Sequence, residues 1–183
     1  MRLLTSTPDA MKQAFRSLAT GVTIISYYDE NEQPAGMTAN AVCSVSLEPP
    51  LLLTCLNRGS RAWPLIEWRR RFGVSILGNA QRDIAEFCAR PASDKRLEPR
   101  WIESDGEPGA PPAIAGALSY LDCAVHTTYD AGTHVIVVGR IGGILLGDGV
   151  EPLAYFRGAY RQLDPSPEKR VEALWDLLVR SAY

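Results

Sequence analysis

Histidine is almost absent from this 183-residue chain: His126 and His134 are the only two. Two imidazoles cannot build a multi-histidine metal site, and no clustered His/Asp/Glu spacing adds ligands to them, so no metal centre is expected. The four cysteines (Cys43, Cys55, Cys88 and Cys123) stand far apart with no CxxC pair, which argues against a zinc site and against a disulfide framework. Each has apolar neighbours in sequence and is expected to be a small buried hydrophobe, in a cytosolic compartment. An excess of either charge is also lacking. The 19 Lys and Arg against 21 Asp and Glu leave a net charge of −2, so no basic field draws nucleic acid or anionic lipid. No apolar run is long enough to cross a bilayer; the most apolar stretch, 135–146, is interrupted by Arg140 and by Gly139, Gly142 and Gly143. The first twelve residues have no long apolar core of a secretory signal. GxGxxG, P-loop and GxSxG patterns are absent, which sets aside the commonest dinucleotide, phosphate and nucleophile-elbow motifs.

What is present fills one domain, residues 1–163, followed by a tail, residues 164–183. Thr7-Pro8-Asp9 opens a helix carrying Met11, Ala14, Phe15 and Leu18, with Gly21 as its stop. Residues 22–28 read as a strand, and a polar turn leads into a second, long strand over residues 37–47. Residues 51–56 are apolar enough to be buried on both faces. After a basic turn, Ser60 is placed to cap a short helix, and residues 72–77 form another strand. Asn79 caps a helix with Ile84, Phe87 and Cys88 on one side, and residues 91–112 read as a long loop. Two long strands follow, joined by a tight turn over residues 129–133; the glycines in the second mark bends of the kind found in barrels. In the tail, Asp164-Pro165-Ser166-Pro167 starts a helix with an apolar stripe at Val171, Leu174, Trp175 and Leu178. The fold expected is mainly β, an antiparallel barrel with peripheral helices.

The 37–47 segment carries the strongest local signal. Its odd positions, Met37, Ala39, Ala41, Cys43, Val45 and Leu47, are apolar; its even positions, Thr38, Asn40, Val42, Ser44 and Ser46, are polar with one exception. The polar positions bear no charge. They suit a surface that hydrogen-bonds a flat polar ligand, or equally a plain exposed face rich in β-formers. Asn57, Ser60 and Arg61 combine a turn, a helix start and a guanidinium, which suits a phosphate but also describes an ordinary capped turn. His134, just after a turn, is placed either to meet a ligand or simply to sit beside a hairpin. His126 falls on an exposed strand face.

Taken in order, Phe15-Arg16, the run Ala19 to Ile25, Gly36 to Asn40, Ser44 to Leu47, Pro49-Pro50-Leu51, Ser60-Arg61, Phe72 to Leu77, His134 to Gly139 and Tyr155 to Tyr160 resemble the flavin reductase-like family, the small reductase components of two-component flavin-dependent monooxygenases. The resemblance covers about residues 11–163. It implies a split β-barrel that binds FMN or FAD, usually as a homodimer. It also implies hydride transfer from NADH or NADPH to the flavin, and an oxygenase partner for the reduced flavin. By the same resemblance, Met37, Thr38, Ala39, Asn40, Ser44, Val45 and Ser46 wrap the flavin ring and its ribityl chain. Cys55, Leu56 and Asn57 border the ring, Ser60 and Arg61 meet the phosphate, His134 contacts the nicotinamide, and Tyr160 is an aromatic residue near that site. The chain departs from the family at Gly132-Thr133-His134, with threonine where the family usually has aspartate. That departure keeps a second reading in view, a flavin-binding electron carrier without efficient NAD(P)H oxidation.

Overall fold

The computed structural model describes residues 5–91, 95–103 and 109–163; the expected tail helix and the boundary drawn at residue 164 lie outside the described residues. Helix α1 (Pro8–Phe15) begins where Thr7 accepts the Ala10 N–H at 3.2 Å, as an N-cap does. It ends well before Gly21, which belongs instead to strand β1 (Thr20–Gly21). Strands β2 (Thr23–Tyr28) and β3 (Pro34–Ala39) form a hairpin. Its turn is held by the Asp29 carboxylate, which accepts the N–H groups of Asn31 and Gln33 at 2.8 Å each. Next come β4 (Val42–Ser46), β5 (Leu51–Asn57), α2 (Ala62–Arg69) and β6 (Arg71–Ile76). A 3-10 turn at Asn79–Gln81 leads into α3 (Arg82–Ala89), so the regular helix starts three residues after the expected cap. The chain then forms the long hairpin β7 (Ser119–Ala131) and β8 (His134–Leu146), and ends in the short strands β9 (Ala154–Phe156) and β10 (Ala159–Arg161).

Among the described residues all pairings are antiparallel. One sheet has seven strands in the order β3-β2-β6-β7-β8-β5-β4, and a small sheet has the order β1-β9-β10. The architecture is mainly β with helices around it, as expected. The expected single strand over residues 37–47 is corrected: it is two strands at opposite ends of the large sheet, joined only by Asn40 and Ala41. In a flat sheet with strands about 4.8 Å apart, those ends would be about 29 Å from each other. The linking residues reach about 10 Å. The sheet therefore curls until its two ends nearly meet, and among the described residues no hydrogen-bonded ladder closes the seam between β3 and β4.

The alternation of residue types hides this break because the facing parity changes at the corner. In β3 the odd residues Ala35, Met37 and Ala39 pack into the curl. In β4 the even residue Val42 does so, while Cys43 is exposed. Val42, the one apolar residue in the even series, was the available signal.

The inside of the curl holds Ile25, Leu52, Leu56, Phe72, Val74, Cys123, Val135 and Val137, and α2 plugs it with Ala62, Trp63, Leu65 and Ile66. A second core lies between β2 and α3, built on Val22, Ile24, Leu77, Ile84, Ala85, Cys88 and Leu153. The bends expected at glycines are visible in the β7–β8 register, where the pairing slips past Gly142 and past His126. Gly139 has a packing reason as well: a Cβ there would lie 2.6 Å from the Phe72 ring. Two cysteines follow expectation, since Cys88 and Cys123 are buried, but Cys55 is half-buried and Cys43 exposed. Cys43 is the correction, and its cause is the outward turn of β4's odd positions.

Candidate functional site

The candidates of β3, β4 and β5 lie along the seam. Asn40 and Ala41 form the exposed corner, and the Cys55 N–H donates to the Ala41 carbonyl at 3.2 Å. That bond sets the backbone alternation of an antiparallel pair: odd residues of β4 turn their N–H and C=O toward β5, and Val42 and Ser44 turn theirs to the unpaired edge. Ser44 stands opposite Leu52, which is 2% exposed and inside the curl, yet Ser44 itself is open to solvent. An inward-facing residue that solvent reaches marks an opening the chain leaves unfilled. Val45 is exposed at the shift in register between Ser44 and Ser46, and Ser46 is half-buried.

On the other side of the corner, Thr38 is less available than its sequence position suggests. Its hydroxyl donates to the Ala85 carbonyl of α3 at 2.6 Å. Met37 and Ala39 face the core. Of the β3 candidates, then, the backbone of Thr38 and the whole of Asn40 remain to face the opening.

Beyond Cys55 and the fully buried Leu56, Asn57 ends β5 and organises the basic turn. Its Oδ1 accepts the Gly59 N–H at 2.8 Å and its carbonyl accepts the Ser60 N–H at 3.0 Å. The Ser60 hydroxyl accepts the Trp63 N–H at 3.3 Å, while the helix proper starts at Ala62 with Arg61 in the cap position. Arg61 lies 3.4 Å from Glu30, both more than half-exposed, so this pairing holds the guanidinium only weakly.

His134 sits directly opposite Asn57 in the β5–β8 ladder. The turn before it has two residues, Gly132 with φ +61° and Thr133, a hairpin that needs a positive φ. The Thr133 hydroxyl is 2.9 Å from His134 Nδ1, and the Thr133 carbonyl accepts the Arg58 N–H at 3.0 Å. Asp130 is paired with Arg58.

Tyr160 stands apart from this rung. It lies on β10 with its ring edge-on to Tyr155 at 5.4 Å and under the Arg82 guanidinium at 5.7 Å. Burial raises its phenol pKa. The two tyrosines, Arg82, Glu86 and Gly158 line a cleft of about 390 Å³ beside α3, and α3 in turn touches Thr38. Sequence reading missed Arg82 and Glu86, which a helical (i, i+4) spacing puts on one side of α3 and whose side chains meet at 2.7 Å.

The fold and the site define a curled antiparallel sheet, not closed into a full barrel, with a neutral strand edge at its seam and a histidine-bearing turn across β5 from that edge. The chain belongs to the flavin reductase like domain family, which matches residues 15–164. A "Probable flavin reductase" of Rhizobium meliloti (strain 1021) is 36% identical over 154 residues, 84% of this chain and 48% of that protein. The reductase component of 4-hydroxyphenylacetate 3-monooxygenase from Thermus thermophilus is 36% identical over 156 residues, 85% of this chain and 96% of that one. Among solved structures, an NADH:FAD oxidoreductase of Streptomyces globisporus, in complex with NAD and FAD fragments, superposes with a TM-score of 0.82 at 29% identity. That match covers 92% of this chain and 100% of the other. The chain spans about half the length of two curated relatives that it matches and 65% of a third. Among the described residues no helix is long and apolar enough to cross a membrane.

Proposed function

We propose that this chain is an NAD(P)H:flavin oxidoreductase that binds FMN or FAD along the seam, takes hydride from NADH or NADPH, and supplies reduced flavin to a partner monooxygenase. The observation that carries the reading is Ser44, inward-facing yet open to solvent beside the unpaired edge of β4. The residues fit the group. A flavin ring presents neutral carbonyl and N–H groups along one side. The β4 edge offers neutral backbone partners at Val42 and Ser44, with the side chains of Asn40, Ser44 and Ser46 alongside.

In this reading Met37 to Asn40 and Ser44 to Ser46 hold the ring and ribityl chain, with Thr38 acting through its backbone because its hydroxyl is occupied. Cys55, Leu56 and Asn57 border the ring, Ser60 and Arg61 receive the phosphate, and His134 orients the nicotinamide. Tyr160 serves from the α3 side. The bound flavin supplies the hydride acceptor; the chain binds, orients and excludes water. The names of the relatives support both the reductase activity and the oxygenase partner.

A homodimer and a cytosolic location belong to the same proposal. Met11, Phe15 and Leu18 of and after α1 are more than half-exposed, and Leu53, Cys55, Ile136 and Val138 on the outer side of β5 and β8 are half-buried. These apolar surfaces suit a second copy. The domain of residues 1–163 and the tail of residues 164–183 are proposed as separate units.

The test is anaerobic mixing of protein, FMN and NADH while the visible flavin absorbance is followed. Rapid bleaching that needs both protein and NADH supports the reading. The electron-carrier alternative is favoured by one observation, the Thr133 hydroxyl at His134 where a carboxylate would charge the imidazole. Flavin binding without bleaching, repeated with NADPH and FAD, selects it.

A further inference from the structure

We propose that Thr133 is a positioning residue that selects the tautomer of the neutral His134 ring: the threonine hydroxyl donates to Nδ1, so Nε2 carries the proton. The inference rests on the reading above only for the identity of the ligand that Nε2–H meets.

Three features of the turn support it. Thr133 is held in place, because its carbonyl accepts the Arg58 N–H at 3.0 Å and the turn closes on the Ala131–His134 pair. Its β-branched side chain has few rotamers, and the hydroxyl oxygen lies 2.9 Å from Nδ1. The charged groups of the flanking elements are already matched, since Arg58, which follows β5, pairs with Asp130 of β7. Asn57 and Ala131, the residues directly across from His134, carry no charge, and Tyr129 is the remaining titratable group nearby on β7.

A neutral imidazole has one donor and one acceptor nitrogen. Once Nδ1 accepts from Thr133, Nε2 must donate. A carboxylate at position 133 would do the reverse, accepting from Nδ1–H and favouring the imidazolium. In the tautomer that threonine selects, the neutral His134 ring offers a single N–H, at Nε2. Such a donor recognises a neutral carbonyl oxygen and gives no charge-assisted grip on an anion. Under the proposed function, that oxygen is the carboxamide oxygen of the nicotinamide, and the nucleotide's phosphates are left to other residues.

The test uses the full chain without ligand, carrying His126→Gln so that one imidazole remains. Nitrogen-15 NMR of the ring, recorded well above the ordinary imidazole pKa of about 6.5, reads which nitrogen bears the proton. The proton is expected on Nε2 in this protein and in Thr133→Ser, and on Nδ1 in Thr133→Asp. A proton on Nδ1 in the parent, or an unchanged ring spectrum in Thr133→Asp, overturns the proposal. Kinetics give the second readout. Thr133→Val should raise the KM for NADH about fivefold, the size of one lost neutral hydrogen bond, with kcat little changed and Thr133→Ser restoring the parent value. An equal KM in Thr133→Val also overturns the positioning role. A parent protein that shows the Nε2 proton but never oxidises NADH sinks the proposed function and leaves the assignment at His134 standing.

Discussion

β3 and β4 are one continuous stretch of chain, both uncharged and both at an end of the same sheet, yet they meet opposite fates. Up to Gly36 the outer edge of β3 is taken by the protein itself. The Gly36 N–H donates to the Lys95 carbonyl at 3.0 Å, the Leu97 N–H donates to the Pro34 carbonyl at 2.8 Å, and the Thr38 hydroxyl reaches α3. Gly36 has no room for a side chain, since a Cβ would lie 2.9 Å from Ile24 and 3.1 Å from Leu97. β4 has no such cover among the described residues: Cys43, Ser44 and Val45 are all exposed. The absence of charge means packing in one strand and availability in the other. An exposed strand edge is a liability that proteins usually blunt, so the uncovered one is where an external partner belongs.

That contrast can be broken by substitutions on either side. Among the substitutions the largest effect is expected at Ile84, a fully buried residue of α3. Ile84→Ala should cost about 2–5 kcal/mol of stability in urea unfolding while the folded protein keeps its FMN affinity. A parallel loss of affinity would mean the two edges are not independent.

Alkaline pH should act next, through the buried thiols. Burial pushes Cys88 and Cys123 from 9.0 up to about 12. Between those values the unfolded chain ionises and the folded one does not. Stability is thus level below pH 9.0 and falls as pH rises toward about 12, by about 1.4 kcal/mol per pH unit for each thiol. Urea midpoints across that range check it; a flat profile refutes it. In the same buffers near neutrality, a thiol reagent should modify exposed Cys43 first and leave Cys88 and Cys123 until unfolding.

Ser44→Glu places a carboxylate in the opening. It should weaken FMN binding about tenfold, equivalent to about 1.4 kcal/mol, and shift stability by no more than about 0.5 kcal/mol. The smallest effect is expected from Thr38→Val, which removes the bond to Ala85. It should cost about 1 kcal/mol of stability and leave FMN affinity alone, whereas a loss of affinity would give the hydroxyl a ligand role.

Much of this was legible in the residues because local rules were obeyed. Thr7 caps α1 and Gly132 supplies the positive φ of the β7–β8 turn, whereas residues 51–56, expected to be buried on both faces, are fully buried on one face only, with Leu51, Leu53 and Cys55 half-buried on the other. The corner at Asn40 left a single sign, the apolar Val42, and was masked because Ala41, Cys43 and Val45 are apolar and still face out. Period-2 reasoning assumes that apolar residues point inward, and these do not. The candidate residues of the site could be named from the sequence, but not their arrangement. Residue types suggested Asn57 and His134 separately, while only the register shows them on one rung. The occupied hydroxyl of Thr38 is a tertiary contact 47 positions away, beyond the reach of any local pattern.

The two-residue corner also has a mechanical meaning. An even number of antiparallel steps separates β3 from β4, so the two strands run the same way and β4 carries on from β3 instead of doubling back beside it. One stretch of chain thus begins as one border of the sheet and finishes as the other, and the corner at Asn40 is where it changes sides. The corner is a tether: it holds the two borders in one place without a hydrogen bond between them. Lengthening it by even a few flexible residues would slacken that tether without disturbing a single ladder of the sheet.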